Sequence, residues 1–277
     1  MIETKGTSTH RACRVAGLTR STWYYTIKKD DHQVINKLNE LAIELPHRGF
    51  DVYYGRIRQE GYAWNRKRVL RIYRLMKLTM RRKRKKRLPS RIKEPLLIPQ
   101  RLNETWSMDF MCDTLENGRK FRVLNVIDDY NREALIIKPQ MIFPGEFVVN
   151  ALIDLVFYRG KPSQIRVDNG PEFISKAFEN WCNDNGIRII HIQPGKPVQN
   201  ALIERFNRLY REDVLDAYIF EDILQVREIS KGWQEDYNNN HPHGSLGGKS
   251  PTQYAKPEKE ECLIVEKIPK KSKLAMS

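Results

Sequence analysis

Three carboxylates stand out for their position rather than their type. Asp109 lies inside the apolar run Trp106-Ser107-Met108-Asp109-Phe110. An aspartate inside a strand of that texture is disfavoured unless something compensates its charge. Asp168 closes a second apolar run, Gln164 to Asp168, and is followed by Asn169 and Gly170. Ligands bind at the carboxyl ends of strands in open α/β sheets. Glu204 falls in a stretch where helical spacing sets Asn200, Glu204, Asn207, Arg208 and Arg211 on one side. Leu202, Phe206 and Leu209 fall on another and are expected to pack on a sheet. Taken alone, that helix also fits an ordinary amphipathic surface helix.

Like charges gathered this closely stay ionised only if cations neutralise them. Hard divalent ions such as Mg²⁺ take oxygen ligands and suit a sparse carboxylate set. Two ions about 4 Å apart serve an in-line phosphoryl displacement at both the attacking and the leaving oxygen. The expected chemistry is therefore two-metal phosphoryl transfer, with Mg²⁺ as the cofactor and Mn²⁺ able to substitute.

The elements that must position these residues read as β-β-β-α-β-α-β-α. Strands are expected at Thr105 to Cys112, Phe121 to Asp128, Glu133 to Lys138, Gln164 to Asp168 and Ile187 to Ile192. Asn117-Gly118 is a hairpin signal between the first two. Helices are expected at 145–159, 175–185, 199–216 and 221–239. Three meandering strands followed by strand-helix alternation imply a mixed sheet with helices on its faces, an α/β fold.

Upstream the texture is helical, over 32–46, 51–60 and 65–78. In the last of these Val69, Ile72, Leu75 and Met76 form an apolar stripe, and Arg66, Lys67, Arg68, Arg71 and Arg74 spread over the remaining faces as a phosphate-facing surface. Residues 8–27 outline two short helices around Gly17, with Thr19 as an N-cap, which fits a helix-turn-helix or any helical hairpin.

Charge points to the partner. The 277 residues carry a net +15, and the segment from Gly61 to Lys93 holds 15 Lys and Arg with no Asp or Glu, so it accounts for the whole excess. Its densest part is Arg81, Arg82, Lys83, Arg84, Lys85, Lys86 and Arg87. Such a run is either a solvated linker or a strand that orders along phosphates. Nucleic acid is the expected polyanion. Pro89, Pro95 and Pro99 then interrupt any helix, which places a domain boundary near residue 95. Cys13, Cys112, Cys182 and Cys262 lie far apart without metal spacing, so isolated reduced thiols are expected. No apolar stretch approaches a bilayer span, and the first 30 residues lack a signal-peptide core, which implies no membrane partner and a cytoplasmic protein.

Thirty-five residues separate Asp168 from Glu204, a spacing that resembles the D-D-35-E integrases and transposases with a ribonuclease-H-like core. The surrounding text is similar to the catalytic OrfB subunit of IS-three family bacterial insertion sequences. The matching stretches are Trp106 to Phe110, Val123 to Arg132, Val167 to Phe173, Pro194 to Asn207 and Tyr237 to Leu246, with an upstream match at Arg66 to Met76. The resemblance covers about residues 35 to 255. It implies a ribonuclease-H-like five-stranded sheet preceded by a small all-α DNA-binding region. It implies that Asp109, Asp168 and Glu204 bind two metal ions, that Lys196 lies beside the DNA strand, and that Asn200 and Asn207 line the cleft with Arg208 near them.

The domain organisation that follows is a helix-turn-helix-like segment (1–30), a helical DNA-binding region (31–80), a basic linker (81–98), the catalytic core (99–218), and a C-terminal helix with a basic tail (219–277). Implied partners are double-stranded DNA (element ends and target), a homodimer or larger assembly on DNA, and an upstream OrfA helix-turn-helix protein or a frameshift fusion to it. The implied location is the nucleoid of a bacterial cytoplasm.

The family text near the C-terminus has Arg where this chain has His241, so a phosphate contact made by that Arg is not carried over. The His-His-Cys-Cys zinc module of retroviral integrases is absent too. Asp128 and Asp129 are expected to be structural, in the turn after the second strand. The leading reading is a transposase that cuts the ends of its element and joins a 3′-hydroxyl to DNA. Alternatives are a catalytically silent DNA-binding regulator or decayed transposase, and a nuclease that hydrolyses without joining. Replacing Arg81 to Arg87 with glutamine is expected to weaken DNA binding and flatten its salt dependence, by about 0.9 in the slope of log K against log salt for each phosphate no longer neutralised. A slope equal to that of the parent would refute a phosphate-binding role for the run.

Overall fold

The computed structural model describes residues 8–24, 30–80, 99–192 and 197–256. The basic run, Lys196 and Cys262 lie outside the described residues. Two compact units are present, one of residues 1–53 with 63–80 and the other of residues 54–62 with 81–277.

In the first unit, α1 (Thr9–Val15) is capped by Ser8, whose hydroxyl accepts from the Arg11 N–H. The chain then turns at Gly17, where φ is +65°, a value glycine adopts without strain. Thr19 caps the short α2 (Arg20–Trp23) by accepting from the Thr22 N–H. Farther on, α3 (His32–Glu44) buries Val34, Leu38 and Leu41, and α5 (Arg66–Leu75) buries Val69, Ile72 and Tyr73. The buried stripe of α5 is thus shifted from the expected one. Leu75 is 69% exposed, because the helix ends there and Tyr73 takes the inward position beside Phe50 and Tyr53. Between them α4 (Phe50–Gln59) starts in this unit, and its later turns belong to the second.

The second unit is built on one sheet. Here β1 (Thr105–Thr114) pairs antiparallel with β2 (Lys120–Asp128), and β2 pairs antiparallel with β3 (Ala134–Gln140). On the other side of β1, β4 (Gln164–Val167) and β5 (Arg188–His191) add in parallel, giving the order β3-β2-β1-β4-β5. This is the ribonuclease-H-like mixed sheet that the resemblance implies. Asn117 and Gly118 make the first hairpin turn, with the Gly118 N–H donating to the Leu115 carbonyl and φ at +79°.

Successive residues of a strand point to opposite faces, and here the two faces serve different ends. Trp106, Met108, Leu124, Val126, Ile165 and Val167 form a core with Val148, Ala151 and Leu152 of α6 (Gly145–Arg159) and Phe178 and Cys182 of α7 (Lys176–Asp184). Burying each such large side chain stabilises by roughly 1.5–3 kcal/mol. The opposite face carries Met111, Val123 and Ile127, covered by Ile203, Phe206 and Tyr210 of α8 (Ala201–Tyr210) and Val226 and Tyr237 of α9 (Ile223–Asn240). Phe206, Trp233 and Tyr237, with ring centroids 5.0–5.6 Å apart, lock α8 onto α9. A last helix, α10 (Pro251–Ala255), begins with a capping box from Ser250 and Gln253.

The single helix expected over 199–216 is three segments. A 3₁₀ turn covers Pro197–Asn200, α8 follows, and a π-helical turn spans Arg211–Leu215. The inward stripe of α8 is Ile203, Phe206, Asn207 and Tyr210, with Leu202 and Leu209 only half-buried. The wider π turn brings Val214 and Leu215 into the core. Cys13 and Cys182 are buried free thiols and Cys112 an exposed one, with burial pushing Cys182 up to about 12. No helix among the described residues is long and apolar enough to cross a membrane.

Beside the start of β1, where Trp106 pairs with Asp128, two acids are committed to the framework. Asp128 accepts from the Asn103 and Tyr130 N–H groups at 2.8 and 2.9 Å, and Asp129, fully buried, pairs with buried Arg166 at 2.5 Å. Breaking a buried pair by removing one partner strands the other charge, at about 3–5 kcal/mol. Asp129→Ala is therefore expected to lower the unfolding free energy by that amount in urea titration, and a drop below about 1 kcal/mol would contradict the structural role of the pair.

Candidate active site

The register of the sheet brings Asp109 to its neighbours. In the β1–β2 pairing Asp109 stands directly opposite Asn125, and both point to the face covered by α8. In the parallel β1–β4 pairing Ser107 is level with Arg166. The same offset sets Asp109 level with Asp168, just beyond the end of β4. Across this face lies α8, with Glu204 in its first turn.

The Asp109 carboxylate is half-buried and held by both oxygens. Oδ1 accepts from the Phe110 N–H at 2.8 Å, and Oδ2 accepts from the Asn207 side-chain amide at 2.7 Å. Burial pushes its pKa up to about 6, and the charges of Asp168 and Glu204 push the same way against the pull of the two hydrogen bonds. The three expected carboxylates therefore share one electrostatic neighbourhood. They do not close on one another. Among the described residues no group of three or more His, Cys, Asp or Glu side chains stands ready to hold a metal ion. Glu204 is exposed and has no hydrogen-bond or ion-pair partner among the described residues.

Asp168 is shaped by its own turn. Its Oδ1 accepts from the Gly170 N–H at 3.0 Å, and a Cβ at position 170 would lie 3.0 Å from that oxygen and 3.4 Å from Oε2 of Glu172. Two residues beyond Gly170, Glu172 pairs with Arg122 of β2. The Arg122 guanidinium rests on the Phe110 ring at 4.2 Å, and Phe110 in turn stacks on Phe173 at 5.2 Å. The strand bearing Asp109 and the loop bearing Asp168 are thus fastened together by one ion pair and two ring contacts. The Arg122 guanidinium holds the Glu172 carboxyl below its usual range.

Other expected residues fall differently. Asn207, expected to line the cleft, is 8% exposed, and its amide is used on Asp109 and on Asn125. Asn200 is buried to the same degree. On α5, Arg68 and Arg71 both turn onto Asp31, which they hold below the usual carboxylate range, and Arg66 pairs with Asp51 at 2.7 Å. Lys67 and Arg74 are exposed and unpaired among the described residues, as is Arg208 of α8. His241, in the place of the family's Arg, stacks on Tyr237 with centroids 5.4 Å apart. Sequence reasoning missed Asn125, Arg122 and Glu172. Asn125 carried one signal, a polar residue in an otherwise apolar strand.

An integrase core domain family matches residues 99–197, and a second integrase core domain family matches residues 185–251. An insertion element IS407 protein of Burkholderia multivorans is 38% identical over 250 residues, covering 90% of each chain. This chain belongs to the IS-three family of OrfB-type transposases. The transposase InsD of insertion element IS2 in Escherichia coli, a more distant relative, is 26% identical over 240 residues, covering 81% of this chain and 79% of its own. Among solved structures, the HTLV-2 integrase catalytic core domain in complex with magnesium covers 58% of this chain and 100% of its own, at 19% identity and a TM-score of 0.45.

In this transposase the raised pKa of Asp109 makes stability depend on pH. Its folded value of about 6 lies above the ordinary aspartate value of 3.8. The stability it contributes is complete below the unfolded value and is lost as pH rises through about 6. At pH 7.5 the ionised carboxylate is therefore a cost, of order 1–3 kcal/mol. Asp109→Asn is expected to be more stable than the parent at pH 7.5 in the absence of divalent ions, with the difference vanishing near pH 4. Urea midpoints across that range measure it, and an Asn variant less stable at pH 7.5 than at pH 4, relative to the parent, would contradict the assignment.

Proposed function

We propose that the chain cleaves the ends of its insertion sequence and joins the 3′-hydroxyl to DNA, using two divalent ions held by Asp109, Asp168 and Glu204. The observation that carries the reading is that the register sets Asp109 level with Asp168 on a sheet face crossed by the helix bearing Glu204, so that the charges of both act on the half-buried Asp109 carboxylate. A cation relieves the cost of gathering those charges. The donor set is made of hard oxygens only, which fits Mg²⁺ and Mn²⁺ rather than zinc. Glu204, exposed on the first turn of α8, is free to swing toward Asp109. Bound ions of this kind supply Lewis acidity to the attacking and leaving oxygens of a phosphodiester.

The protein's own groups do the positioning. The Phe110 N–H and the Asn207 amide orient Asp109, and the Gly170 N–H orients Asp168. Arg208, one turn beyond Glu204 on the exposed side of α8, is placed to meet a phosphate. Lys67 and Arg74 on α5, with the run from Arg81 to Arg87 and Lys196, extend the phosphate contacts. Arg66, Arg68 and Arg71 join them only by leaving their carboxylate partners. These contacts position DNA without reading its sequence. Residues 1–30 and 31–80 serve as the DNA-binding part, 81–98 as a linker, 99–218 as the catalytic core and 219–277 as its C-terminal support. Joining two element ends in concert calls for at least two chains on DNA, with an OrfA protein as partner or fusion, acting at the bacterial nucleoid.

Asp109→Asn, Asp168→Asn and Glu204→Gln are each expected to abolish Mg²⁺-dependent processing of a labelled 3′-end oligonucleotide while DNA binding is retained. Joined products from the parent distinguish a transposase from a hydrolysing nuclease, and bound but uncut DNA would indicate the silent regulator. Parent-like cleavage by any of the three variants would remove that residue from the catalytic set.

A further inference from the structure

We infer that Asn207, held from behind by Asn125, is the positioning residue that sets the Asp109 carboxylate for cation binding, an inference that rests on the two-ion reading above. Asn125 is fully buried in β2, opposite Asp109, between Val123 and Ile127 on the same sheet face. A valine there would pack without desolvating an amide, so the asparagine costs stability unless its hydrogen bonds serve something. Its Nδ2 donates to Oδ1 of Asn207 at 2.7 Å, and Nδ2 of Asn207 donates to Oδ2 of Asp109 at 2.7 Å.

The relay has only one direction. An ionised carboxylate accepts and never donates, so Asn207 must present its NH₂ to Asp109. Its carbonyl oxygen is then left facing Asn125, which must answer with its own NH₂. Asn125 thus backs the Asn207 amide in the orientation the acid dictates, and does so with its own Oδ1 buried and without a partner among the described residues. Without Asn125 the Asn207 carbonyl oxygen loses its donor, and the amide is held from the Asp109 side alone.

Two further features favour positioning over plain packing. Asn207 lies three residues after Glu204 on α8, so the bond to Asp109 ties the helix carrying one proposed ligand to the strand carrying another. With Oδ1 fixed by the Phe110 N–H and Oδ2 by Asn207, the carboxylate cannot rotate about its last bond, yet both oxygens retain lone pairs for a cation. A neutral amide achieves this without adding a charge. Lysine or arginine would also orient Asp109, but its positive charge would compete with the ion.

The test is Mn²⁺ binding to the full chain, read from the electron paramagnetic resonance signal of the free ion, with oligonucleotide cleavage measured alongside. Asn207→Ala is expected to weaken Mn²⁺ binding by about tenfold or more, the usual effect of removing an outer partner of a metal ligand. Asn125→Val, which keeps the volume and strand propensity but removes the donor, is expected to weaken it severalfold. The double variant is expected to bind no worse than Asn207→Ala, because Asn125 acts only through Asn207. A merely structural pair would lower melting temperatures and leave Mn²⁺ affinity alone. If Asn125→Val does not fold, Asn125→Ser, with a hydroxyl too short to reach Asn207, carries the same expectation.

An Mn²⁺ affinity of Asn207→Ala close to that of the parent, while Asp109→Asn no longer binds, overturns the inference and spares the two-ion reading. Equal weakening by Asn125→Val with and without Asn207 overturns the relay. If the parent binds no Mn²⁺, or Asp109→Asn binds it as the parent does, the two-ion reading fails and the inference falls with it.

Discussion

Desolvation of one carboxylate organises the functional half of this protein. Asp109 sits within a strand that gives Trp106, Met108 and Met111 to the core, and its burial, together with the charges of Asp168 and Glu204, pushes its pKa up to about 6. A sheet face covered by Ile203, Phe206 and Tyr210 gains nothing from an acid at that position. Two hydrogen bonds offset part of that cost, and the cation of the proposed function would offset the rest.

The same sheet holds two further acids that burial also pushes up, Asp129 to about 6 like Asp109, but whose partners differ. Asp128 is satisfied by two backbone N–H groups and Asp129 by Arg166. Both are committed inside the framework and leave no charge for a ligand. Asp109, Asp168 and Glu204 share a neighbourhood in which no guanidinium among the described residues pairs with them. What separates the structural acids from the proposed catalytic ones is the partner each has inside the fold, and partners come from elements distant in sequence.

Rigidity around the site is built from several modest contacts. Arg122 joins β2 to the loop after Asp168 through Glu172 and rests on Phe110, beside Asp109. Phe206, Trp233 and Tyr237 fix α8 against α9. Helix α8 in turn carries both Glu204 and Asn207. The sheet and α8 are thus held firmly, while the exposed Glu204 side chain has no partner among the described residues.

The succession of strands and helices along the chain, the hairpin at Asn117 and Gly118, the cap at Thr19 and the family itself were legible in the sequence. These rest on local periods, turn chemistry and a 35-residue spacing, all of which survive in one dimension. The direction of side chains on α8 was less legible. Spacing placed Asn207 with Glu204 on an open polar side, whereas packing turned it inward to the Asp109 carboxylate. The break at Arg211 was hidden as well, because it depends on Val214 and Leu215 finding the core. Arg68 and Arg71 read as phosphate contacts until the fold brought Asp31 beside them. The sequence by itself determined which residue types were available and at what spacing. Only the tertiary structure decided which charges are neutralised internally, because each partner depends on the register between β1, β2 and β4 and on the rotation of one helix above them.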